Sequence, residues 1–239
     1  MTDLAINIER KLYPTGNIVA LKDLSFSVES GKFVALVGPS GAGKTTLLNT
    51  ILGLDKHFEG DVLVNNQSMK ELEDYPARVG CMFQDPRLMP WLSVAQNLEL
   101  VLEGRSSDKG HIRKLLKQVE LSGREASYPD QLSGGMQRRV ALARAFAVKP
   151  NLLLMDEPFL SLDEPSAERL RHLLYLLWQE LRPTVVFVTH NLREALALAD
   201  EIIFLSASPG TVIRRFSVDI ERPRRLDHRR QCPAGASVA

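Results

Sequence analysis

The segments Leu4-Ala5-Ile6-Asn7-Ile8 and Leu24-Ser25-Phe26-Ser27-Val28 place large apolar residues at every second position, the period of a strand with one buried face. Between them, Pro14-Thr15-Gly16-Asn17 carries turn residues, and Gly60–Asn66 reads as a further strand and turn. The pattern differs at Phe33-Val34-Ala35-Leu36-Val37, which is apolar throughout. Leu152-Leu153-Leu154-Met155, Val185-Val186-Phe187-Val188 and Ile202-Ile203-Phe204-Leu205 repeat it. Such runs suit strands covered on both faces. Helical spacing appears at Leu47, Leu48, Ile51 and Leu52, with Gly53 as a stop, and again over 167–181 and 192–199. From about Ser93 to Val148 the period is helical, broken at Gly123 and at Tyr128-Pro129-Asp130. Buried strands alternating with helices predict an α/β fold with a mainly parallel sheet. An antiparallel β subdomain precedes that core, and a helical subdomain over about 93–148 is inserted into it. The domain is expected to span 1–223. Residues 224–239 are Arg-rich and then small and polar, and read as a short, poorly ordered tail, with contact to an anionic membrane surface as the alternative.

At 239 residues the chain can bury a sizeable core without cross-links. A formal net charge of +1 with 25% charged residues gives no general reason to expect a nucleic-acid partner. The two cysteines, Cys81 and Cys232, have neither metal-site nor CxxC spacing. Cys81 lies in an apolar run and reads as a small core residue in a reduced, cytoplasmic setting. The opening MTDLAINIER has no signal pattern, and no apolar stretch approaches the ~20 residues of a spanning helix. If the protein works at a membrane, the expectation is that another chain supplies the membrane part.

Candidate chemistry begins where the first buried strand ends. Gly38-Pro39-Ser40-Gly41-Ala42-Gly43-Lys44-Thr45-Thr46 has the spacing of a phosphate-binding loop between strand and helix. Glycines let backbone N–H groups converge on an anion, and the following helix points its N-terminus at the same place. Lys44 would meet the β and γ phosphates, and Thr45 would ligate Mg²⁺. The strand 152–155 runs into Asp156-Glu157, at the strand end where open α/β sheets bind ligands. Asp156 suits Mg²⁺, and Glu157 could serve as general base for an attacking water. Leu132-Ser133-Gly134-Gly135 sets a second serine and glycine pair before a helix. One nucleotide does not need two γ-phosphate cradles from one chain. The conflict is resolved if two chains meet and each lends Ser133-Gly134-Gly135 to the other's ATP.

In this combination the chain resembles the ATP-binding-cassette (ABC) ATPases, on GPSGAGKTT, LSGGMQRRVALARA and LLLMDEP, over roughly Leu4 to Pro223. The resemblance implies a phosphate-loop NTPase core that binds ATP and Mg²⁺. It implies a homodimer with two shared sites, working with transmembrane permease subunits at the cytoplasmic face of the cell membrane. It also assigns Tyr13 to stacking on adenine and Gln84 to contact with Mg²⁺, the attacking water and the permease. Asp163 falls in the loop that crosses the dimer interface, although Ser161-Leu162 lacks the usual alanine, and His190 matches the histidine that bonds the γ phosphate. The Arg138-Arg139 pair reads as a solvated helix face. The segments Phe83–Val94, Leu205–Val212 and Arg222-Pro223-Arg224 resemble importers of the nitrate, sulfonate and taurine type, which implies an extracytoplasmic solute-binding protein upstream. The rival readings are an exporter, a cassette acting on DNA or ribosomes, and a small-molecule kinase. Coiled-coil arms, zinc cysteines or a second phosphate loop would mark the DNA and ribosome proteins. The kinase reading leaves LSGGM, Gln84 and His190 without a role.

Overall fold

The computed structural model describes residues 2–14, 17–71, 77–102, 109–222 and 224. Two sheets organise them. The first is antiparallel and built from β1 (Leu4–Tyr13), β2 (Ile18–Val28), β4 (Glu59–Val64) and β5 (Gln67–Ser68), in the order β2-β1-β4-β5. The second contains β3 (Phe33–Val37), β6 (Val79–Met82), β7 (Leu152–Asp156), β8 (Thr184–Thr189), β9 (Glu201–Leu205) and β10 (Val212–Ser217). Its order is β10-β9-β3-β8-β7-β6, parallel except where β10 runs against β9.

Helix α1 (Lys44–Ile51) follows β3. Between β6 and β7 the chain forms α2 (Val94–Glu99), α3 (Lys109–Gln118) and α4 (Gly134–Ala147). The predicted breaks appear there as a positive φ at Gly123 and a 3₁₀ turn at Pro129–Gln131. Helix α5 (Glu164–Leu181) lies between β7 and β8, and α6 (Leu192–Leu198) between β8 and β9.

The apolar runs are apolar because both faces of the second sheet are covered. On β3, Phe33, Ala35 and Val37 belong to a core shared with Leu142, Leu170, Trp178 and Leu198. Val34 and Leu36 belong to a second core with Leu47 of α1 and Ile6, Phe26 and Val62 of the antiparallel sheet. Phe33 also meets Trp178 and Phe187 edge-on, a geometry aromatic rings favour.

Some details differ from the sequence reading. Helix α5 begins at Glu164 rather than at 167, because Asp163 caps it and Pro165 sits in its first turn, where a missing N–H costs nothing. Strand β10, not foreseen, is an exposed edge whose residues show no buried period. Cys81 is half-buried rather than a core residue, and burial, then the Asp156 charge, pushes its thiol up to about 12. Arg224, at the start of the expected tail, donates to the carbonyls of Leu196, Ala199, Val218 and Ile220. Residues 225–239 lie outside the described ones.

Candidate functional site

The loop after β3 turns into α1 through Gly43, whose φ of 74° is left-handed. A Cβ there would stand 2.6 Å from Leu21 Cδ2 and 2.8 Å from the Ala20 carbonyl, so only glycine lets the loop pack this closely. The first turn of α1 carries no acidic residue, which leaves its N-terminal N–H groups open to an anion. Lys44 is 8% exposed. Its Nζ donates to the carbonyls of Gly38 (2.8 Å) and Pro39 (2.9 Å) and lies 3.8 Å from Glu157 Oε1.

Asp156 and Glu157 arrive at the end of β7. The Thr45 hydroxyl donates to Asp156 Oδ2 at 2.8 Å. The other oxygen, Oδ1, is buried with no hydrogen-bond partner among the described residues. Burial raises the Asp156 pKa, and the Glu157 charge adds to the rise against the opposing Thr45 bond. Glu157 has a φ of 45°, and its N–H donates to the Val188 carbonyl. Its Oε2 lies 2.8 Å from His190 Nδ1.

His190 follows β8, and the turn beneath it is held by Glu194. That buried carboxylate accepts from the Thr189 hydroxyl (2.5 Å) and the Asn191 amide (3.2 Å), and burial raises its pKa. Gln84 and Asp85 follow β6 and line a cavity of about 360 Å³ with Thr45, Asp156, Arg138 and Ser161. Tyr13, at the end of β1, brings its hydroxyl within 3.2 Å of Thr46 Oγ1.

The fold therefore gathers Tyr13, the loop 38–46, Gln84, Asp156, Glu157 and His190 at one end of the parallel strands. Ser133, Gly134 and Gly135 share no hydrogen bond with them among the described residues and do not line that cavity. Ser133 is exposed and accepts the Met136 N–H as the N-cap of α4. Asp163 is likewise an exposed cap, accepting the Ser166 N–H. These two helix starts adjoin each other, since a Cβ on Gly135 would lie 3.8 Å from the Ser166 hydroxyl.

Arg138 corrects the sequence reading of a solvated pair. It is 7% exposed, lines the cavity beside Asp85 and donates to the Pro158 carbonyl at 3.2 Å. Its burial lowers the guanidinium pKa, which Asp85 opposes. The signal was available, because Ala141, Leu142 and Ala145 are buried at the spacing that shares its helix face. Arg139 instead reaches the carbonyls of Val119 and Glu120.

Residues 21–160 match the family model described as ABC transporter. The chain is 42% identical over 221 residues to the aliphatic sulfonates import ATP-binding protein SsuB 2 of Burkholderia cenocepacia, covering 92% of this chain and 80% of that one. It is 38% identical over 211 residues to the corresponding SsuB protein of Bacillus cereus, covering 88% and 83%. An uncharacterized ABC transporter ATP-binding protein of Methanocaldococcus jannaschii is 44% identical over 214 residues, covering 87% and 79%. Among solved structures, a dimeric bacterial ABC transporter cassette superposes with a TM-score of 0.80 at 37% identity, over 91% of this chain and 99% of the other. A post-hydrolysis state of that dimeric cassette, bound to ADP and Pi, gives 0.78 at 36%, over the same shares of the two chains.

Proposed function

We propose that this chain, which belongs to the ABC transporter family as an ATP-binding, ATP-hydrolysing cassette, works as half of a pair that closes on two ATP molecules and drives a separate membrane permease. One observation carries the pairing. The phosphate loop, its carboxylates and His190 converge, while Ser133 and Gly134 of the same chain are exposed and the Ser133 side chain only caps its own helix. A partner's Ser-Gly-Gly would complete the cradle. Loss of the γ phosphate would then reopen the pair.

Within each site, the loop N–H groups and Lys44 bind the β and γ phosphates, Lys44 exchanging its loop carbonyls for them. The Tyr13 ring stacks on adenine. Glu157 accepts the proton of the attacking water, Gln84 orients that water, and His190 moves from Glu157 to the γ phosphate. Asp163 contributes at the pair interface. Magnesium fits the residues present: Asp156 has an unpartnered buried oxygen beside the Thr45 hydroxyl, and with Gln84 the donors are all oxygen, as a hard cation requires. When bound, the ion neutralises phosphate charge that develops during transfer.

That arrangement carries a cost in the free chain. Because burial holds the Asp156 pKa above its ordinary value, the folded state binds its proton more tightly than the unfolded one. The penalty is absent at acid pH and grows as pH rises through the raised pKa. Asp156→Asn keeps an acceptor for Thr45 but removes the charge. The variant should melt higher than wild type at pH 7, with the gain vanishing as pH falls into the carboxylate range. Its Mg²⁺-dependent gain in ATP affinity should be lost. Melting curves against pH and a Mg²⁺ titration check both, and an unchanged or lower melting point at pH 7 sinks the argument.

The permease would dock on the loop Asp85–Val94. Trp91 is 69% exposed, yet the loop beneath it is braced. The buried Asn97 side chain bonds Met89, Leu92 and Ser93, and Arg144 donates to the carbonyls of Pro86 and Arg87 at 2.7 Å. A stiff loop displaying a large aromatic side chain suits a protein partner. Beside it runs an apolar groove of about 480 Å³ that includes Phe83, Met89, Leu100 and Val101. A photo-crosslinker at Met89 or Leu92 should capture the permease, and capture only from sites elsewhere on the chain would move the docking surface.

We read the transporter as an importer of a small anionic solute such as nitrate, a sulfonate or taurine, a reading supported by the SsuB relatives. The chain would lie peripherally on the cytoplasmic face of the membrane, and none of its described helices is long and apolar enough to cross one. Proteoliposomes carrying the chain with its permease and solute-binding protein test this. ATP on the side of this chain should drive the solute toward that side, and movement the other way overturns import.

A further inference from the structure

Lys11 has no part in the chemistry above, yet it is only 2% exposed, a rare state for a lysine. In β1 the inward positions up to Ile8 are Leu4, Ile6 and Ile8, and strict alternation would continue with Arg10 and Leu12. Pairing with β4 shifts between Ile8 and Arg10, and pairing with β2 shifts between Lys11 and Leu12. These irregularities turn Lys11 inward. Opposite Ile8, Gly60 has a φ of 103°, and a Cβ there would stand 2.1 Å from the Asn7 carbonyl, so the bulged strand and this glycine are matched.

Inside, Lys11 Nζ donates to Asp55 Oδ1 (2.6 Å) and the His57 carbonyl (2.8 Å). The centroid of the Tyr13 ring lies 4.8 Å from the same nitrogen, within reach of a cation–π attraction. Asp55 itself follows α1, with its N–H on the Asn49 carbonyl. Burial alone would raise the Asp55 pKa, but Lys11 and the His57 N–H outweigh it and hold the carboxylate below its usual range. Tyr13 is thus held by its ring over the ammonium and by its hydroxyl beside Thr46 of the phosphate loop, while remaining 37% exposed.

We propose that Lys11 is a positioning residue for the nucleobase: it fixes the Tyr13 ring in the plane on which the base of ATP stacks. The proposal rests on the reading of Tyr13 as the stacking residue. A ring ordered before the ligand arrives loses no rotamer freedom on binding. The bond from Lys11 to Asp55 further ties the base end of the site to the loop that ends α1, whose other end holds the phosphates.

The test measures dissociation constants by calorimetry for Mg-ATP and for inorganic tripolyphosphate, which has the phosphates and no base. Lys11→Met should weaken ATP binding by about two- to fivefold, the size of a modest cation–π contact, and leave tripolyphosphate binding unchanged. The loss should vanish when Lys11→Met is added to Tyr13→Ala, because no ring remains to position. Lys11→Met with Asp55→Asn removes the carboxylate left without its cation, so it keeps the comparison open if the single variant folds poorly, and it should show the same loss for ATP alone. If the lysine variants weaken both ligands equally, or still act in the Tyr13→Ala background, Lys11 serves the fold and the proposal is wrong. If Tyr13→Ala binds ATP like wild type, the stacking reading itself has failed, and Lys11 falls with it.

Discussion

Glu157→Gln should slow ATP hydrolysis by about 10²–10⁴-fold, the usual contribution of a general base, while leaving ATP bound and the chain trapped as a dimer. The amide has nearly the shape of the carboxylate but does not accept a proton from water. Its surroundings dictate how it will sit. One carboxylate oxygen now lies 3.8 Å from the Lys44 ammonium and the other 2.8 Å from His190 Nδ1. The amide oxygen should take the Lys44 side, because an NH₂ group there would face a cation. In the free chain the NH₂ then faces His190 Nδ1, before His190 moves to the γ phosphate. Lys44, Thr45 and Asp156 are untouched, so nucleotide binding survives, and an uncleaved γ phosphate keeps bridging the two chains. Light scattering after size exclusion should show a dimer with ATP and Mg²⁺ and less of it with ADP. A variant that stays monomeric in ATP and turns over like wild type would remove Glu157 from the mechanism.

A change at Ser133 should suppress hydrolysis as strongly by a different route, acting on the partner's site. Ser133→Arg places a bulky side chain where the partner's γ phosphate would lie. It also removes the N-cap of α4, and loss of such a cap costs about 0.5–2 kcal/mol, so a fall in activity alone could be misread. Ser133→Asp separates the two effects. It retains an oxygen that can accept the Met136 N–H, and its negative charge favours a helix N-terminus. The same charge opposes the approach of a phosphate. Both variants should bind ATP as monomers with near wild-type affinity, fail to dimerise in ATP, and lose at least about a hundredfold in turnover, comparable to removing one transition-state contact. Mixing Ser133→Asp with a Lys44→Ala chain should restore one working site per mixed pair and part of the activity. Normal ATPase activity of Ser133→Asp with its permease would count against a shared site.

Strands β3, β7, β8 and β9 were legible because each is apolar at consecutive positions, as strands covered on both faces are, whereas β6, short and interrupted by Gly80, was not. The helices of the inserted lobe were legible from their period and from the turn at Tyr128-Pro129-Asp130. Strand β10 was not, because an exposed edge strand needs no buried period. The start of α5 was hidden by Pro165, which reads as a helix breaker unless its place in the first turn is known. In the site, Gly38 to Thr46, Asp156 and Glu157 could be read locally, since their spacing to a strand end is itself the signal. Arg138 was misread as solvated although its helix period points inward. Lys11 was beyond reach of any alternation rule, because the bulge that turns it inward depends on how β1 pairs with strands elsewhere in the chain. The exposure of Trp91 had no sequence signal either, because a single aromatic in a loop carries no period at all.

The place of β3 in the sheet also governs when the protein becomes competent during its synthesis. It carries the phosphate loop and is made early, but its two neighbours, β8 and β9, pair with it from about 150 and about 165 residues further along, separations that make folding slow because distant contacts must close large loops. A nascent chain that has just exposed Lys44 has neither neighbour to hold β3, and the carboxylates of β7 have not yet emerged. The phosphate cradle is therefore among the last parts of the molecule to be completed on the ribosome. A nucleotide that binds only the finished arrangement would then stabilise it by mass action. Truncated or stalled products, lacking β8 and β9, should gain no such protection from ATP.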